Sequence, residues 1–188
     1  MSHTYTDQRT VLADILPGSL VRDATLVTAG ALSVGLAAQV SIPLPGTPVP
    51  MTLQTLAVLV SGAALGTRRG ALSMALYALL GLAGLPWFAQ ASMASFGYII
   101  GFVFAAAAVG RLAGAGHDRS VLGTVVTFTV GTALIFAPGV AWLMLYTGSD
   151  LSTALVQGVV PFLLGDVVKI AVAAGVLPAT WRLVRRLG

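Results

Sequence analysis

Residues 161–170 read "PFLLGDVVKI". An aspartate and a lysine stand three apart inside a run that is otherwise apolar. From about 160 to 184 the stretch is long enough to cross a bilayer as a helix, at 1.5 Å per residue. An ionisable group at mid-bilayer costs on the order of 3 kcal/mol. Asp166 and Lys169 lie on nearly the same helical face. Two such groups persist there if they face each other or a polar cavity. The segment is therefore either a helix pinned by an internal ion pair or one wall of a ligand site, and intramembrane ionisable residues mark substrate or ion pathways by default.

The rest of the chain agrees with a lipid environment. Of its 188 residues, 57% are hydrophobic and 9% charged, and the mean hydropathy is +0.94. A soluble domain carries about 25% charged residues, so this chain lacks the groups to coat a water-facing surface. There is no glutamate. Cysteine is absent and histidine occurs only at 3 and 117, which excludes disulfides, thiolate chemistry and a histidine-rich metal cluster. The net charge of +4 comes from arginines scattered between apolar runs. That pattern is a membrane-topology signal and does not indicate a nucleic-acid partner.

Six apolar runs emerge, at about 24–41, 51–66, 69–84, 97–114, 120–146 and 160–184. "SIPLPGTPVP" (41–50) has four prolines in ten residues and cannot be helix. The second and third runs, about 16 residues each, fall short of the roughly 20 needed to cross, so adjoining backbone is expected to dip into the protein interior. A short amphipathic stretch at 151–158 leads into the last run. Residues 1–23 are polar, lack a signal-peptide core, and read as a cytoplasmic lead-in with a surface helix at 8–16. Residues 24–188 form one membrane domain. With the N-terminus inside, all nine arginines fall on inner segments, and the outer segments 42–50, 85–96 and 147–150 hold no Lys or Arg. The expectation is an all-α, multi-pass bundle of six transmembrane helices with both termini cytoplasmic.

Within "AGALSVGLAA" (29–38), Ala29, Ser33 and Ala37 recur every fourth residue, with Ala31 and Gly35 on a neighbouring line. Small residues at this spacing let helices approach closely in lipid, either within the bundle or against a separate membrane partner. Gln54, flanked by Thr52 and Thr55, lies on the same outer side as Asp166. Its amide offers donors and an acceptor to an amide or urea ligand, or an interhelical bond. Trp87, Phe88 and Tyr98 stand in or beside the third loop, as an interfacial belt or as walls of an apolar pocket. The chain has no phosphate-binding loop, no zinc-protease or serine-hydrolase motif and no paired carboxylates, so it reads as a binder and not an enzyme. Transport would need an outside energy source.

"IPLPGTPVPMTLQT" (42–55), "GYIIGF" (97–102) and "PFLLGDVVK" (161–169), in this order, resemble the BioY family, the biotin-specific substrate-capture subunits (S components) of energy-coupling factor transporters. The resemblance runs from about 24 to 182. It implies a six-helix bundle in the bacterial cytoplasmic membrane with a biotin pocket near the outer face. It also implies a transmembrane coupling subunit and cytoplasmic ATPases as partners, and no cofactor. Gln54, Asp166 and Lys169 carry over as polar contacts, Trp87, Phe88 and Tyr98 as pocket walls, and the Ala29–Ser33–Ala37 face as a docking surface. Asp166 would accept from the ureido N–H groups of biotin. Lys169 would balance it and donate to the ureido oxygen, or pair with the carboxylate. One departure stands out. Family members often carry a "PTGGY"-like segment before the fourth helix, where this chain has "ASFGY" (94–98), which alters the lid. A capture subunit for another vitamin, or a membrane scaffold with a structural Asp–Lys pair, are the competing readings.

Overall fold

The computed structural model describes residues 11–15, 20–86 and 93–187. Six α-helices dominate: α1 (Leu20–Ala38), α2 (Gln54–Leu82), α3 (Phe96–Gly114), α4 (Val121–Thr147), α5 (Leu151–Gly158) and α6 (Leu163–Leu187). Leu20–Ala38, Met93–Gly114, Val121–Thr147 and Leu151–Arg186 are each long and apolar enough to cross a membrane. The helical stretch expected at 97–114 is α3, 120–146 is α4, 151–158 is α5, and 160–184 is a 3-10 turn (Val160–Phe162) running into α6.

α2 is not one rod. At Gly66 the backbone turns to φ 84°, ψ 177°, a conformation open to glycine and strained for residues with a Cβ. The arms 54–65 and 67–82 then fold back on each other. A straight helix would hold Gln54 and Tyr77 about 34 Å apart, yet Gln54 Nε2 donates to Tyr77 Oη at 2.6 Å. Small residues permit the close return. A Cβ on Gly70 would meet Gly62 Cα at 3.1 Å, and one on Gly62 would meet the Ala106 carbonyl at 2.8 Å. The two short stretches expected at 51–66 and 69–84 are these two arms.

α3 sits at the centre, packed against α2 on one side and α4 on the other, with α1 outside α2 and α6 against α4. At one end of α3, Gly110 lies against the Gly66 turn. At the other, Trp142 Nε1 donates to the Met93 carbonyl at 2.7 Å and ties α4 to the start of α3. Ser120 caps α4 by accepting from Gly123 N at 3.1 Å, left-handed Gly148 closes it, and Asp150 caps α5 by accepting from Thr153 N at 3.2 Å.

The proline-rich loop departs from the all-α expectation in a small way. Ser41–Ile42 (β1) and Met51–Thr52 (β2) pair antiparallel, with Ser41 opposite Thr52 and Ile42 opposite Met51. The lead-in also differs from a free surface helix. Leu12–Ile15 is a 3-10 turn, Val11 is buried against Gly66, and Asp14 pairs with Arg69 at 2.8 Å. α1 starts at Leu20, inside the expected lead-in.

α6 shows how the bundle meets its solvent. Leu164, Val167, Val168, Val172 and Val176 are exposed, while Asp166, Ala173, Ala174, Leu177 and Trp181 are buried. Apolar groups outside and a carboxylate inside invert the arrangement of a soluble protein, as lipid demands.

Candidate functional site

The end of the bundle opposite the Gly66 turn holds a pocket. β2 and its loop supply Val49, Pro50 and Thr52; the first arm of α2 supplies Gln54 and Thr55; the second supplies Tyr77. α3 and the turn before it give Ser95, Tyr98, Ile99 and Phe102, α4 gives Phe136, and the last segment gives Phe162, Asp166 and Lys169. The cavity between these groups holds about 50 Å³ of space open to water. Apolar walls with a few converging polar groups are the usual composition of a small-molecule site.

The polar groups form two sets. In the first, Lys169 Nζ donates to Asp166 Oδ1 at 3.0 Å and to Thr55 Oγ1 at 2.7 Å. Asp166 is 6% exposed, and its Oδ2 has no hydrogen-bond partner. A buried carboxylate oxygen left unmet is costly. The ammonium carries three donors, of which these bonds use two. One acceptor and one donor therefore remain for a ligand. Gly165 precedes the pair, and the Met51 side chain of β2 lies over it: a Cβ there would meet Met51 Sδ at 3.0 Å.

In the second set, Gln54 is 7% exposed. Its Nε2 donates to Tyr77 Oη, and its Oε1 accepts from Thr52 Oγ1 at 3.2 Å. The amide is held across the hairpin, with one N–H to spare. Tyr98 Oη donates to the Gly158 carbonyl at 2.8 Å, and its ring packs edge-on to Phe136 at 6.3 Å and tilted against Phe162 at 6.5 Å. The tyrosine thus joins the end of α5 to the aromatic wall.

Of the residues singled out from the sequence, the pocket brings together Gln54, Tyr98, Asp166 and Lys169. Trp87 and Phe88 lie outside the described residues. On α1, Ala31 and Gly35 are buried, while Ala29 and Ser33 are exposed and Ala37 is half-buried. Ala31 and Gly35 face the bundle; of the neighbouring line Ala29 is turned outward, while the Ser33 hydroxyl lies 3.2 Å from that of Ser61 on α2 and also meets the bundle. Sequence reasoning missed Tyr77, Ser95, Phe136 and Phe162. Tyr77 had a signal, a lone hydroxyl in the apolar run "SMALYALL". Phe162 sits inside the stretch already noticed for its charges. The 23-residue separation of Gln54 and Tyr77 gave no hint of contact without the turn at Gly66.

An inward ion pair with unmet valences, enclosed by aromatic walls in a lipid-facing bundle, fits the class of membrane proteins that bind a small ligand with a polar head. The comparisons with known proteins narrow that class. The family model described as "BioY family" matches residues 5–186, and the chain belongs to the BioY family. It is 35% identical over 156 residues to the "Biotin transporter BioY" of Thermotoga maritima, spanning 79% of this chain and 90% of that one. It is 33% identical over 159 residues to the "Probable biotin transporter BioY" of Pyrococcus horikoshii, spanning 81% and 91%. Its fold matches that of the S-component for biotin from an ECF-type ABC transporter, a crystal structure at 2.1 Å. The TM-score is 0.76 at 23% identity, over 86% of this chain and 92% of that one.

Proposed function

We propose that this chain captures biotin and serves as the substrate-specific subunit of an energy-coupling factor transporter in the bacterial cytoplasmic membrane. The observation that carries the reading is the buried Asp166–Lys169 pair, with one carboxylate oxygen unmet inside an aromatic pocket. Membership of the BioY family supplies the ligand. The ureido head of biotin has N–H donors for Asp166 Oδ2 and an oxygen for the spare Lys169 proton, and its apolar ring system suits the aromatic walls.

In this reading each arm of α2 counts as a crossing, which gives six spans. Both termini are cytoplasmic, and the pocket opens outward. The arginine distribution supports that orientation, as does the contact of the 12–15 turn with Arg69. The exposed line Ala29–Ser33, with Ala37, docks a transmembrane coupling subunit. Cytoplasmic ATPase subunits supply the energy, so the chain itself is no enzyme and needs no cofactor.

The test is equilibrium binding of biotin to the detergent-purified protein by calorimetry. Saturable binding is expected, and Asp166→Asn should weaken it at least tenfold, since a hydrogen bond to a charged group contributes about 1.5–3 kcal/mol. A folded wild-type protein that binds no biotin would overturn the reading. The bonds from Lys169 to Asp166 and Thr55 favour one rival, a structural pin between α6 and α2. That rival predicts loss of stability in Asp166→Asn with no ligand effect.

A further inference from the structure

Ser95, in the turn before α3, carries a second unmet polar group into the same pocket. It is 9% exposed, and its hydroxyl has no hydrogen-bond partner. A serine directly before a helix ordinarily caps it by accepting from a backbone N–H. Ser95 stands immediately before α3 and makes no such bond. Its backbone is already helical there, at φ −86°, ψ −6°, so the side chain is not turned back onto the helix. The helix therefore gives no account of this buried hydroxyl, while its place on the pocket wall does.

We infer that Ser95 is a ligand-contacting residue that donates its hydroxyl proton to the carboxylate at the tail of the bound vitamin, and so fixes the direction in which the ligand lies. The inference rests on the biotin reading above and deepens it. Electrostatics set the direction. Asp166 stands 3.0 Å from Lys169 Nζ. A ligand carboxylate paired with that ammonium would be brought close to the Asp166 carboxylate, where like charges disfavour each other. A neutral urea head has no such conflict, and it offers both the donor that Asp166 Oδ2 lacks and an acceptor for Lys169. The head therefore takes the α6 side. The tail needs a donor elsewhere. Among the other lining hydroxyls, Tyr98 donates to Gly158, Thr52 donates to Gln54, and Tyr77 accepts from Gln54 within the cross-hairpin bond. Thr55 accepts from Lys169 and so stands beside the head, and the spare Gln54 N–H sits on an amide already fixed by Tyr77 and Thr52. Ser95 alone among these has no bond at all. Ile99 and Phe102 follow it along the α3 wall and suit the hydrocarbon of the tail.

The experiment compares biotin with biotin methyl ester, whose tail carries no charge, on wild type, Ser95→Ala and Ser95→Thr. Ser95→Ala should weaken biotin about tenfold and the ester by much less, so the preference for acid over ester shrinks. Ser95→Thr keeps the hydroxyl and should retain the preference. Unchanged biotin affinity in Ser95→Ala, or equal weakening of acid and ester, would overturn the inference while leaving biotin capture intact. Failure of the wild type to bind biotin would instead remove the parent reading, and this one with it.

Discussion

Among the described residues two aspartates are buried, one toward each end of α6, and each leaves one carboxylate oxygen without a partner. Asp166 lies near the start of α6 and pairs with Lys169 in the wall of a pocket. Asp118 lies in the His117–Arg119 turn between α3 and α4, is 0% exposed, and accepts from Trp181 Nε1 of α6 at 2.6 Å. The Arg119 guanidinium covers the Trp181 ring, 4.8 Å from its centroid. Both carboxylates are costly to bury, but their surroundings differ. Around Asp166 the neighbours leave valences pointing into a pocket. Around Asp118 they close a clamp between the α3–α4 turn and α6. In the proposed reading a buried charge serves a ligand only where cavity and unmet valence coincide.

Substitution should separate the two most sharply. Asp166→Asn is expected to lower biotin affinity at least tenfold. Asp118→Ala should leave that affinity within about twofold while costing roughly 1–3 kcal/mol of stability, because it strands the Trp181 N–H. Calorimetric binding beside thermal melting in the same detergent reads both. A Asp118→Ala protein that melts normally but binds biotin poorly would show that the clamp end communicates with the pocket.

How much of this was legible in sequence follows the same division. The charged pair in "GDVVK" is local, three residues apart on one helix, and could be read from spacing alone. So could the helices α3, α4 and α5, apolar or amphipathic runs bounded by turn residues, although Ser120 and Asp150 cap only α4 and α5 and α3 has no side-chain cap at Ser95. The α2 hairpin was visible as two short apolar runs flanking Arg68 and Arg69, though not as a reversal on the single residue Gly66. Contacts that depend on tertiary return were illegible: Gln54 with Tyr77 across the hairpin, Asp118 with Trp181 across 63 positions, and Val11 beneath Gly66. Nor did the proline loop announce its strand pair, because two residues on each side leave no alternation to detect.

Tyr77→Phe sharpens the contrast within the pocket itself. Tyr77 is fully buried and holds the Gln54 amide from the other arm of α2. Removing its hydroxyl leaves the amide held by Thr52 alone, without touching Asp166. Biotin affinity should fall by about threefold to tenfold, the value of one ordinary hydrogen bond. An effect as large as that of Asp166→Asn would mean that the Gln54 amide, and not the ion pair, dominates recognition.

The smallest expected effect concerns pH. Burial pushes the Asp118 carboxyl above the usual carboxylate range; the Trp181 N–H, a backbone hydrogen bond and the charges of Arg119 and His117 pull it partly back. Its folded value therefore exceeds the unfolded one near 3.8, and between the two the folded protein binds the proton more tightly. Stability from this group is fully present below the unfolded value and is lost as pH rises through the folded one. Asp150 behaves oppositely. Its carboxylate is held at about 2 by hydrogen bonds from Ser152 and Thr153, and its contribution fades only as pH drops below 3.8. The two windows lie on opposite sides of that value and do not mask each other. Relative to wild type, Asp118→Asn should lose a rise in melting temperature on acidification toward pH 4, because Asn keeps an acceptor for Trp181 but cannot titrate. Groups common to both proteins cancel in the difference. Superimposable pH curves would mean that the Trp181 and Arg119 contacts already balance the cost of burial, and that the clamp is indifferent to protonation.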